Sequence, residues 1–208
     1  VQIVMNNSLR HYGALSVYGE AIPLACSGII NKVSFMFFAF CIGIAQGMQP
    51  IASFNYGAKK YSRVREAFWF SIRSNLAVMS VSALFGIVFA APIVKMFRDD
   101  PAVISIGITA LRIQCIALFF MPFSLCGNML FQSIGQSGKA TFLSMIRSGL
   151  VFIPVLWILS YLIGLFGIQT SQTIADGIAA AITIPMVVRF LRRMPEDGEE
   201  FSNKSGFL

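Results

Sequence analysis

Charge is what this sequence has least of. Only 12% of its 208 residues are Asp, Glu, Lys or Arg, while 56% are hydrophobic; soluble chains carry about 25% charged residues. A water-soluble globule of this size cannot cover its surface with so few charges, which excludes soluble enzymes and nucleic-acid-binding proteins. Histidine occurs once, as His11 beside Arg10, so neither a multi-His metal site nor a His-dependent triad is expected. The four cysteines, Cys26, Cys41, Cys115 and Cys126, lie inside apolar runs without a C-x-x-C pair and read as packing residues. No G-x-x-x-x-G-K-[ST] loop is present, so P-loop ATP hydrolysis is not expected. The reading is a non-enzyme without a cofactor.

What the chain has instead is long uncharged runs. Residues 33–58, 74–94, 113–138 and 148–175 contain no Asp, Glu, Lys or Arg. A membrane helix needs about 20 mainly apolar residues, rising ~1.5 Å each, to cross a ~30 Å hydrocarbon core, and each run is long enough. Inside hydrocarbon the backbone must satisfy its own hydrogen bonds, so the runs predict helices. A transmembrane barrel would alternate over segments of about ten residues, and these runs are continuous. The fold class is an all-α polytopic membrane protein.

Five crossings are expected, over about 21–54, 67–94, 103–133, 140–166 and 170–188. Before them, residues 1–5 are apolar and precede Asn6, Asn7 and Ser8, which reads as the end of a sixth helix that begins upstream. No basic segment opens the chain, so a signal peptide is not expected. Residues 1–194 form one transmembrane helical lobe and 195–208 a polar tail. The 16 Lys+Arg outnumber 9 Asp+Glu, and they divide unevenly between alternate loops. One side receives Lys59, Lys60, Arg63, Arg65, Arg73, Lys139, Arg147, Arg189, Arg192 and Arg193; the other receives Arg10, Lys95 and Arg98. By the positive-inside rule the first side, with the C-terminus, is cytoplasmic.

Polar residues within the crossings are the candidate site. Asp176 lies only twelve uncharged residues before Arg189, too few to span alone, so a fully crossing last helix carries it into the membrane. It is either a carboxylate facing the bundle interior or a water-filled cavity, or an acid at the helix start favoured by the N-terminal dipole. Lys32 either snorkels to the outer headgroups or, if its helix breaks near Pro50, faces a cavity. Ser124, Asn128 and Gln132 recur at four-residue spacing, with Gln136 continuing the series. Such a stripe lines an aqueous pathway or hydrogen-bonds a neighbouring helix. Gln46, Gln49 and Ser53 make a similar stripe beside Pro50, and Gly43 and Gly47 form a small-xxx-small contact.

One stretch resembles a known family. Gly43-x-x-x-Gly47-Met48-Gln49-Pro50-Ile51-Ala52-Ser53-Phe54-Asn55-Tyr56-Gly57-Ala58, followed by Arg63 and Arg65, is similar to the helix-to-loop signature of the multidrug and toxic compound extrusion (MATE) family. Phe131-Gln132-Ser133-Ile134-Gly135 resembles the end of that family's tenth helix. Arg147-x-x-x-x-x-x-Pro154 resembles its eleventh, and Ile174-Ala175-Asp176 its twelfth. The spacings follow family order from about residue 6 to residue 193.

The resemblance implies a secondary antiporter of two six-helix lobes around a central cavity in the plasma membrane. Such proteins export cationic or amphipathic drugs against sodium ions or protons. This chain would be the second lobe, from the end of helix seven through helix twelve, and the first lobe its missing partner in the bilayer. Some members hold a cation with acids in helices seven and ten, whereas residues 113–137 here contain no acid. Asp176 is therefore the candidate carboxylate. Two other readings stand beside this one. A lipid-linked saccharide flippase would carry more basic residues in its cavity helices. A non-transporting membrane scaffold would leave the polar stripe and the expected Gln-Pro helix break unexplained.

Overall fold

The computed structural model describes residues 2–14, 21–97 and 100–199. Every regular element among the described residues is helical. Helix α1 (Gln2–Ala14) is followed by α2 (Ala21–Gly57), α3 (Tyr61–Val88) and α4 (Ala90–Phe97). Then come α5 (Pro101–Ala117), α6 (Met121–Ser133) and α7 (Ser137–Met145). A π-helical turn (Ile146–Leu150) leads into α8 (Phe152–Ile163), and α9 (Leu165–Arg193) ends the bundle.

α2, α3 and α9 are each long and apolar enough to cross a membrane by length and composition. α5 and α6 make a further span broken by a 44° bend. The bend has a local cause. Pro122 has no N–H for the carbonyl of Leu118, and the bonds of Leu118, Phe119 and Phe120 shorten to i−3 acceptors just before it. Pro154 does the same to Leu150, and there the chain widens into the π turn, closed by Val151 N–H to the Ile146 carbonyl at 3.3 Å. The fourth expected crossing, 140–166, is divided among α7, the π turn and α8, of which α8 is a short apolar helix.

α2 runs unbroken through Pro50, so the expected interruption there is absent. α3 starts at Tyr61, which places Arg63 and Arg65 in its first turns rather than in a loop. α1 extends past the expected apolar end to Ala14, because Met5, Leu9 and Tyr12 fall on one helical face. Leu9 packs there with Phe152, Leu156, Ile168 and Ala175 in a small core of its own. The main core lies where α2 meets α3, α5 and α6, around Cys41, Ala45, Met79 and Cys126. Large apolar side chains such as Phe40, Phe54, Phe70 and Trp157 point outward, as a lipid-facing surface requires.

Basic residues from alternate connections gather at one end. Arg65 donates to the carbonyls of Leu191 and Met194 at 3.1 and 2.6 Å. Lys139 stands over the rings of Phe131 and Phe190 at 5.7 and 5.3 Å. Residues 195–199 fold back as a strap: Gly198 N–H donates to the Lys59 carbonyl at 2.9 Å, and the Ser62 backbone N–H to Asp197 at 2.8 Å. The Ser62 hydroxyl and backbone N–H together hold the Asp197 carboxyl below its ordinary pKa. The rest of the tail, 200–208, lies outside the described residues.

Candidate ion and substrate site

The site is built on α9. Gly164, at φ 62, turns the chain between α8 and α9 in a conformation suited to glycine, so α9 begins at Leu165 rather than near 170. Asp176 therefore sits three turns into a formed helix, which overturns the helix-start alternative. Its side chain is 2% exposed. One carboxylate oxygen, Oδ2, accepts from Gln172 Nε2 at 3.2 Å, a turn earlier on the same face. The other, Oδ1, lies 3.9 Å from Nε of Arg147.

Arg147 comes from the π turn. The sequence reading counts it with the loop cations, but the structure puts it about two to three turns inside the helix that starts at Ser137. Its guanidinium stands 4.9 Å from the ring centroid of Phe38 on α2, a cation–π distance. Three elements thus converge: α9 brings the acid, the π turn the base and α2 an aromatic face.

Beside this pair lies a cavity of about 210 Å³. Asp176 and Gln172 line it from α9, Ser27, Asn31 and Ser34 from α2, and Gln114 from α5. Phe35, Phe38, Met121 and Met5 complete an apolar wall. Thr173 closes the α5 side by donating to the Ile113 carbonyl at 3.2 Å. Amides and hydroxyls around one carboxylate, in a largely apolar wall, can hold a small cation or ordered water.

The other sequence candidates are not gathered here. Lys32 is exposed on α2 and does not line the cavity; with α2 continuous, it lies about three turns from the helix start, between the lining residues Asn31 and Ser34. Gln46, exposed, and Gln49, half-buried, lie about 20 Å further along α2. Pro50 leaves the Gln46 carbonyl without its helical donor. Of the α6 stripe, Asn128 donates to the Ala140 carbonyl at 3.2 Å and to the Ser144 hydroxyl, and accepts from Gln132 at 2.6 Å. Asn128 thus ties α6 to α7, the neighbouring-helix alternative, and Gln132 braces it from within α6. Ser124 is buried, and its hydroxyl has no hydrogen-bond partner among the described residues.

Arg147, Phe38, Gln172, Gln114 and Asn31 escaped the sequence reading as site residues. One signal for the pair was available. Arg147 and Asp176 are the two charges that bracket the uncharged run 148–175, and a hairpin turning near Gly164 folds its flanks together.

Comparison with known proteins agrees with this architecture. The MatE family model matches residues 14–158. The chain belongs to the MatE family. It is a multi-pass membrane protein. It is 26% identical over 183 residues to the multidrug export protein MepA of Staphylococcus haemolyticus (strain JCSC1435), covering 88% of this chain and 40% of that protein. It is 25% identical over 204 residues to MepA of Staphylococcus aureus (strain bovine RF122 / ET3-1), covering 95% of this chain and 42% of that protein. The chain thus spans about two fifths of the length of these relatives. The fold superimposes on an outward-facing multidrug resistance MATE family transporter of the MOP superfamily with a TM-score of 0.83 and 18% identity, covering 92% and 42% of the two chains. For an inward-facing MATE transporter the TM-score is 0.79 at 18% identity, covering 90% and 43%.

Proposed function

We propose that this chain is the second lobe of a secondary multidrug exporter, which extrudes cationic or amphipathic compounds across the plasma membrane in exchange for sodium ions or protons. Its basic end and its C-terminus face the cytoplasm. The observation that carries the reading is the buried Asp176 carboxylate opening into a cavity between α2, α5 and α9. A carboxylate at membrane depth is costly and marks an ion or substrate path. Alternating access arises when two lobes rock about a site at their interface, and one such lobe is described here. The MepA relatives are multidrug export proteins by name, which supports the same activity for the parent of this lobe.

The flippase reading expects several basic residues in the cavity helices. The cavity lining includes an acid and no basic residue among the described residues, and Arg147 is engaged by that acid. A scaffold gives no role to a buried carboxylate that lines a cavity.

The test is Asp176→Asn in a two-lobed exporter that includes this chain. With membrane abundance unchanged, ethidium efflux driven by a proton or sodium gradient should fall at least tenfold. Full efflux from the variant under both gradients would remove Asp176 from the transport path.

A further inference from the structure

The geometry of Arg147 says more about which cation Asp176 accepts, and it rests on the reading of Asp176 as a cation site. The ion pair is loose. A single guanidinium nitrogen approaches one oxygen at 3.9 Å, rather than the two parallel short bonds of a bidentate arginine–carboxylate fork. The other oxygen is held separately by Gln172. In the same position the guanidinium also stands 4.9 Å from the Phe38 ring centroid. Asp176 and Phe38 both line the cavity, whereas Arg147 does not. A ligand in the cavity therefore meets the carboxylate first and the arginine through it.

We infer that Arg147 is a tethered competitor for the Asp176 carboxylate, which excludes sodium from this site and yields to an organic cation by letting go of the carboxylate while it stays on the Phe38 ring. A sodium ion on Asp176 would sit roughly 5 Å from the guanidinium. At an effective dielectric constant of about 20, two like charges at that distance cost a few hundredfold in affinity. Sodium has no apolar surface with which to offset this. An aryl or alkyl ammonium does, because Phe35, Met121 and Met5 offer it an apolar wall. Its N–H groups can then replace Arg147 on the carboxylate, while the planar guanidinium keeps its stacking on the ring. Arg147 is a specificity-determining residue that acts through Asp176.

The test uses the purified chain in lipid nanodiscs with benzylammonium as the probe and benzyl alcohol as its neutral counterpart. Dissociation constants are measured by equilibrium dialysis in potassium chloride and again in sodium chloride. Wild type should bind benzylammonium with no difference between the salts. Arg147→Gln should bind it at least tenfold more tightly, and sodium should now compete. Adding Asp176→Asn should abolish both gains and leave benzyl alcohol binding unaltered. Unchanged or weakened benzylammonium binding by folded Arg147→Gln overturns the inference while leaving Asp176 as the cation site. Wild-type affinity in the single variant Asp176→Asn overturns the site and the inference together. Should Arg147→Gln not fold, the side-chain ¹⁵Nε signal of Arg147, assigned by its loss in Arg147→Lys, decides the question on the wild-type chain. A shift on saturation with benzylammonium, but not with sodium, supports the exchange; a fixed signal refutes it.

Discussion

A charged side chain inside a helical bundle in lipid persists only beside a group that answers it. Asp176 has that group in Arg147, and the pair has a thermodynamic consequence apart from transport. Removing one partner leaves an uncompensated charge, whereas removing both leaves a neutral site of similar volume. Sealed pairs lose ~3–5 kcal/mol when broken. Here the contact is long and the Arg147 side chain is 25% exposed, so Arg147→Met should cost about 2 kcal/mol, below the sealed-pair range. Adding Asp176→Leu should restore most of it. Thermal unfolding of the two variants in detergent measures both steps. A double variant no more stable than Arg147→Met would show that these side chains matter for packing and not as a charge pair. The acid was legible in the sequence because a lone carboxylate in an apolar run has no inexpensive place to go. Its partner was not, because the depth of Arg147 depends on where its helix begins and on the π turn that carries it. Hydropathy registers neither.

At the scale of elements, the path of each helix follows from where prolines remove donors and where glycines admit a neighbour. Pro122 and Pro154 both sit inside apolar runs that read as single straight crossings. The bend between α5 and α6 and the π turn before α8 are set by individual missing hydrogen bonds, which composition does not reveal. Run lengths gave five expected crossings, of which three are single long helices and a fourth is the bent α5–α6 pair among the described residues; the internal breaks were not legible. The α6–α9 crossing is a sharper case. At Gly127 a Cβ would meet the Thr183 methyl carbon at 2.5 Å and a Val187 methyl at 2.9 Å. Gly127→Ala should therefore destabilise by about 1–3 kcal/mol, the usual cost of overpacking. Thr183→Ser removes the methyl that stands in the way and keeps the hydroxyl, which donates to the Ala179 carbonyl at 2.7 Å. The pair Gly127→Ala with Thr183→Ser should recover more than half of the loss in the same unfolding assay. Additive losses would mean that the helices separate there without strain.

For the whole molecule, the decisive asymmetry is between the two ends of the bundle. Lys59, Lys60, Arg63 and Arg65 lie near one end of α2 and α3, and the strap from α9 is bonded to that same turn through Lys59, Ser62 and Arg65. The sequence bias counted these cations by alternate loops, and the structure brings most of them to one end; Arg73, twelve residues into α3, and Arg147 lie further along their helices. Lysine and arginine near short loops resist translocation across the membrane, so this end is expected in the cytoplasm and the end carrying Lys95 outside. Labelling single cysteines in cells tests the orientation. All four native thiols are buried, and replacing them gives a silent background for Lys60→Cys and Met96→Cys, both at exposed positions. Met96→Cys should react with an impermeant maleimide in intact cells, and Lys60→Cys only after permeabilisation. The reverse pattern would invert the lobe. Asp176 lies on the half of α9 nearer the Lys95 end, at roughly 25 Å along the helix from Arg193. With the basic end inside, that carboxylate lies nearer the outer face, and in the exchange proposed above a proton from outside would reach it over the shorter distance.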